Sequence, residues 1–192
     1  MGEELDFNCL HLQLAYAISG KTLDGYGYDI PLKHLSIGQK LPLMTLDSES
    51  LRAISKNAVL MSLNATNKAA AKGALLEKIE EMFPTLLDDY FPHEKSEFMK
   101  AIIQTVMTHH LQISGCFNKD YGIKFQFFDS EIITEIQKRC REKGIPVLSV
   151  HDSVLYPQSD VEFVKNTFDE VLKTYLERLR SRALSKSKAF QQ

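Results

Sequence analysis

The chain has 192 residues, 44% of them hydrophobic and 25% charged, with 23 Lys and Arg against 25 Asp and Glu for a formal net charge of −2. That length and apolar content support the core of one ordinary domain or two small ones, and the balance of charge excludes a global attraction to nucleic acid, so any such binding must rest on a local patch. Cys9, Cys116 and Cys140 are widely spaced with no CxxC pair, which argues against a disulfide framework or zinc cluster. No apolar run reaches the roughly 18 residues of a membrane helix, and Met-Gly-Glu-Glu lacks the features of a signal peptide. The expectation is a soluble, cytoplasmic protein with no membrane partner.

In chain order, "EELDF" is a short strand candidate, and "CLHLQLAYAISG" places Leu10, Leu14, Ala17 and Ile18 on one helical face and ends at Gly20. Asp6 then falls at a strand-to-helix junction. Residues 21–46 carry Gly25, Gly27, Pro31, Gly38 and Pro42 without a sustained period and read as an irregular connector. Two helices follow, "SESLRAISKNAVLMSLNA" with Ser48 as N-cap, and "NKAAAKGALLEKIEEMF", which stops before Pro84. Arg52 and Lys56, four apart, share a face of the first. A third helix covers residues 93–113. A fourth, "SEIITEIQKRCREKG", turns Ile132, Ile133 and Ile136 inward and has Gly144 as its C′ residue.

In "IPVLSVHDSVLYP", strand formers flank His151, Asp152 and Ser153, which predicts a β-hairpin with His-Asp at or near its turn. The next helix buries Val161, Val164, Phe168, Val171, Leu172 and Tyr175 and is capped by Ser159 or Asp160. The last residues, "RSRALSKSKAFQQ", read as a basic, frayed end. The segment from Arg178 to Lys188 is the one concentrated positive patch, suited to a nucleic-acid backbone or simply solvated.

A carboxylate at a hairpin tip is held by paired backbone on both sides and faces outward, a placement that suits a metal ligand, although a turn Asp also serves as a turn former. If Asp6 and Asp152 ended neighbouring strands, they would bridge two divalent ions that activate an attacking oxygen and neutralise a leaving phosphate. An exposed Arg52–Lys56 pair, otherwise a solvated helix face, would then hold a triphosphate.

In order and spacing these residues resemble three motifs of the family A polymerase superfamily, the repair-type bacterial DNA polymerases and the phage and mitochondrial single-subunit RNA polymerases. "LDFNCLHLQLAYAISG" is similar to motif A, with Asp6 at the metal-ligand position. "RAISKNAVLMSLNA" is similar to the fingers helix of motif B, with Arg52 and Lys56 at the phosphate-contacting positions. "FQFFDSEIITEIQKRCREKGIPVLSVHDSVL" is similar to the stretch running from a primer-template-contacting glutamine, Gln126, into motif C. There Asp152 matches the second metal ligand, and His151 lies near the primer terminus. The resemblance covers most of residues 3–157.

It implies an α+β fold, mostly helical, with a small antiparallel palm-type sheet carrying motif A and a motif C β-hairpin. The expected organisation is a palm part over 1–47, fingers-like helices over 48–92, a second palm part with the C-terminal helix over 93–182, and a basic flexible tail over 183–192. The implied activity is template-dependent nucleotidyl transfer with Mg2+ or Mn2+, acting on nucleoside triphosphates and a primer-template. Departures accompany it. Leu60 takes an aromatic position, Asn64-Ala65 replace Tyr-Gly, and His11 stands where DNA polymerases place a sugar-gating glutamate, which leaves the choice between DNA and RNA product open. Motifs B and C are closer together than in most members. Motif A six residues from the start suggests a reduced phage- or plasmid-type relative or a fragment, with a larger replication protein supplying a thumb. Two alternatives stand beside this reading: a catalytically inactive, polymerase-derived DNA-binding or replication-partner domain, and a metal-dependent phosphohydrolase using His151-Asp152 with His109 and His110.

Overall fold

Alternating exposed and half-buried residues make Gly2–Asp6 a strand, β1, covered on one face only. Its partner is far along the chain. In this computed structural model, which describes residues 2–25, 27–28, 35–150 and 153–189, the protein is mostly helical with one small antiparallel sheet. That sheet has the order β1-β3-β2, with β2 at Leu148–Val150 and β3 at Ser153–Pro157. The register pairs Asp6 with Ser153, Leu5 with Val154 and Glu3 with Tyr156, and on the other side Val150 with Ser153. The chain divides into two compact units, residues 1–23 with 124–192, and residues 24–123.

In the first unit the sheet carries its apolar residues inward at Val154 and Tyr156, both buried. Helix α8 (Val161–Ala189) packs on β3 and also along α1 (Leu10–Ile18). Phe7, just after β1, stacks on Phe168 of α8 at 3.9 Å between ring centroids. Most of α7 (Gly122–Glu142) belongs to this unit and buries Phe125, Ile132, Ile133, Ile136 and Cys140. Glycine ends both shorter helices in the way the sequence predicts. At α1, Gly20 takes φ 72°, its N–H donates to Ala17 O, and the Lys21 N–H reaches Tyr16 O. At α7, Gly144 takes φ 74° and the Ile145 N–H reaches Cys140 O, so both ends satisfy carbonyls the helix leaves unpaired.

The expected frayed tail is corrected in part, because α8 is continuous to Ala189. Arg180 Nε donates to Lys21 O at 3.3 Å, and Leu184 lies against Gly20, so the end of α1 gives the supposed tail a surface to pack on. Residues 190–192 lie outside the described residues.

The second unit is helical. The connector read as irregular contains α2 (Ile37–Met44), entered at Ser36, whose N–H donates to Gln39 Oε1. This is half of a capping box, and it outweighs Gly38 and Pro42. Helix α3 (Ser48–Asn64) is capped by Asp47 rather than Ser48, because the Asp47 carboxylate accepts the Ser50 N–H at 2.7 Å. That bond also lowers the pKa of Asp47. Asn67 caps α4 (Lys68–Met82) by accepting the Ala70 N–H.

After the short α5 (Leu86–Tyr90), α6 (Lys95–His109) ends earlier than the period suggests, and a 3-10 turn covers Leu111–Cys116. Helix α6 packs on α3 and α4, so the sequence boundary at 92/93 falls inside this unit. The core gathers Ile54, Ala58, Leu63, Leu75, Ile79, Ile102 and Val106, all buried. Among the described residues no helix is long and apolar enough to cross a membrane.

Candidate functional site

Asp6 is the last residue of β1, exposed, and faces Ser153 across the ladder. Facing residues in an antiparallel pair have Cα atoms about 4.5–5.5 Å apart, so the carboxylate of Asp6 leaves the sheet beside the residue that follows Asp152 in sequence. His151 and Asp152, the two residues between β2 and β3, lie outside the described residues. Ser153 is buried, and its Oγ donates to Glu4 Oε1 at 2.6 Å, with Val150 O a second acceptor at 2.9 Å. Period two places Glu4 and Asp6 on one face of β1. Glu4 is thus a carboxylate at this corner that the sequence reading missed, and stepping back two positions from Asp6 would have found it.

Among the described residues no group of three or more His, Cys, Asp or Glu gathers as a metal site. Glu4 and Asp6 offer only hard oxygen donors, which match Mg2+ or Mn2+ and not a soft metal.

The structure brings His11 and Gln126 to one trough of about 470 Å3, lined also by Asp129, Ser130, Thr134 and Ser149. His11 is half-buried near the start of α1, with its ring 5.6 Å from that of Phe125, and Gln126 is exposed one residue further along α7. Hydroxyl, amide and imidazole groups predominate here. Such a lining offers hydrogen bonds to sugar hydroxyls and base edges more than charge to phosphates.

In the second unit Arg52 and Lys56 are exposed one turn apart on α3, as their spacing predicts. The Arg52 guanidinium sits 5.5 Å from the centroid of the Tyr28 ring, a cation–π contact that orders its stem. Asn64 ends α3, and a Cβ on Gly122 would come within 3.1 Å of its Oδ1, so Gly122 is what admits the amide. Residues 118–121 fold back over this helix end. Asn118 N–H donates to Ser62 O and Tyr121 N–H to Leu63 O, satisfying carbonyls that α3 leaves unpaired.

His109 and His110 also belong to this unit. His109 is exposed, whereas His110 is buried with Nε2 3.0 Å from Gly27 O, so its Nε2–H serves as a backbone donor. Burial and the neighbouring His109 hold its pKa down at about 4, against the opposing pull of the Gly27 bond.

The basic stretch along α8 is partly engaged within the first unit. Arg178 lies 4.5 Å from the Tyr175 ring centroid, and Arg180 holds Lys21 O. Tyr175 itself donates to Glu131 Oε2, and burial together with that bond raises its pKa.

Compared with known proteins, the chain matches no family model, no curated protein and no solved structure.

Proposed function

We propose that the protein is a template-dependent nucleotidyltransferase of the family A polymerase type, with a palm-type sheet that carries Asp6 and the His151-Asp152 pair. One observation carries the reading: Asp6 faces Ser153 in the register of β1 and β3, so Asp6 ends its strand opposite the residue that follows Asp152 in sequence. Asp6 and Asp152, with Glu4 on the same strand face as Asp6, would hold Mg2+ or Mn2+, which when bound would lower the pKa of a primer 3′-hydroxyl and neutralise charge on departing pyrophosphate. Glu4 fixes the Ser153 hydroxyl and thereby the start of β3. Gln126 and His11, sharing a trough of hydrogen-bonding groups, bind the primer-template and the sugar, and His151 assists at the primer terminus. The resemblance assigns Arg52 and Lys56 to the incoming triphosphate and Asn64 to its sugar; the exposure of all three supports that assignment.

The test is extension of a labelled primer on a template, with ribo- and deoxyribonucleotides offered separately in Mg2+ and Mn2+. Extension should fall by a factor of about 1,000 or more in Asp6→Asn and in Asp152→Asn, since either change removes a metal-binding charge from the site. Manganese binding followed by electron paramagnetic resonance should weaken in the same variants while circular dichroism is unchanged. Metal-dependent extension that survives Asp152→Asn overturns the assignment.

A further inference from the structure

Between α4 and α6 in the second unit lies a groove of about 270 Å3 with Ile103 and Met107 in its floor and Lys68, Ala69, Lys72, Lys100 and Gln104 around them. Its chemistry runs against the rest of the molecule, which is net acidic. Lys72 Nζ donates to Ser96 Oγ at 2.7 Å, a neutral partner, so it keeps its full charge. Lys100 pairs with Glu97 at 3.0 Å, but both side chains are about two-thirds exposed and such a pair is weak in water. The rim therefore presents three ammonium groups, of which Lys100 is paired with Glu97.

Each part restricts the occupant. Its volume admits one or two bulky side chains and is below the range of most cofactor pockets. A half-buried methionine in the floor yields to the shape of an inserted apolar group. The rim asks for carboxylates around that group. From Lys100 to Met107 the groove follows α6 for about 10 Å, two turns of a docked helix. A nucleic-acid backbone would instead use a continuous cationic track, and it has nothing to place on Ile103 and Met107.

We propose that this groove binds an acidic amphipathic segment of a partner protein, anchored by one aromatic or large aliphatic side chain and flanked by Asp and Glu. The charge complementarity of the lysine rim selects that occupant. The proposal does not depend on nucleotidyl transfer.

The experiment is fluorescence anisotropy of the full chain titrated into a labelled 14-residue peptide of Asp, Glu and Ala with a single central Phe. Saturable binding is expected, weakened about tenfold or more by Lys68→Glu with Lys72→Glu, by Gln104→Glu, and by Phe→Ala in the peptide. Gln104 is exposed, so its substitution leaves the fold intact, and circular dichroism checks every variant. Four results overturn the proposal. They are no binding by folded protein, peptide binding indifferent to the lysine changes, a single-stranded oligonucleotide that binds and loses affinity in those same variants, or self-association in sedimentation that Gln104→Glu abolishes.

Discussion

Glu4, Ser153 and His110 show how single side chains set the properties of this protein. Glu4 accepts the Ser153 hydroxyl at the sheet corner, so it supports β3 and adds a carboxylate beside Asp6. His110 is buried as the neutral ring, with its pKa near 4 in the folded chain and about 6.5 when unfolded. Above pH 6.5 both states are neutral there and the fold keeps its full stability. As pH falls from 6.5 towards 4 the unfolded chain takes up the proton first, so stability declines by about 3 kcal/mol and then levels off. Urea unfolding at pH 7.5 and pH 4.5 measures this, and His110→Gln should flatten the difference. Of the site, the sequence made legible the residues whose chemistry depends on local spacing, Arg52 with Lys56 on one helix face and Asp6 at a strand end. Glu4 is legible as the same-face neighbour of Asp6, but its bond to Ser153 is not, because it arises only when β3 supplies a serine 149 residues away. The sequence also hides the trough that His11 and Gln126 share, since they lie on different helices.

At the scale of elements, glycine acts in two opposite ways. Gly144 takes φ 74°, where a Cβ is strained, and it ends α7. Gly73 lies inside α4 with open space around it. Gly144→Ala is expected to cost about 1 kcal/mol, and Gly73→Ala to add about 0.5–1 kcal/mol, so thermal unfolding of the two variants should shift in opposite directions. Helix ends of this type were readable because a positive-φ residue leaves a glycine in the sequence. Helix α2 was not, since Gly38 and Pro42 drew attention away from the Ser36–Gln39 capping pair. The far end of α8 is hidden for a different reason. "RALSKSKA" is polar enough to look frayed, yet its helix-forming residues need only the contacts of Arg180 and Leu184 with the end of α1 to remain ordered.

For the whole molecule, the two units differ in how they are threaded. Residues 24–123 form theirs from one continuous stretch of chain, with α3, α4 and α6 packed together within residues 48–109. The other is assembled from both ends of the chain, and its sheet closes only when β1 meets β3. Local contacts form fast, and distant ones wait on loop closure. In refolding followed by pulsed hydrogen exchange, amides of α3, α4 and α6 should gain protection before those of β1; simultaneous protection would count against this order. On the ribosome the same threading imposes a delay. β1 leaves the exit tunnel long before β3, its partner in the sheet, and it must stay soluble through the synthesis of nearly 150 further residues. Its sequence, Gly-Glu-Glu-Leu-Asp, suits that wait: three of its five residues are acidic, and they keep an orphaned strand from pairing with another nascent chain.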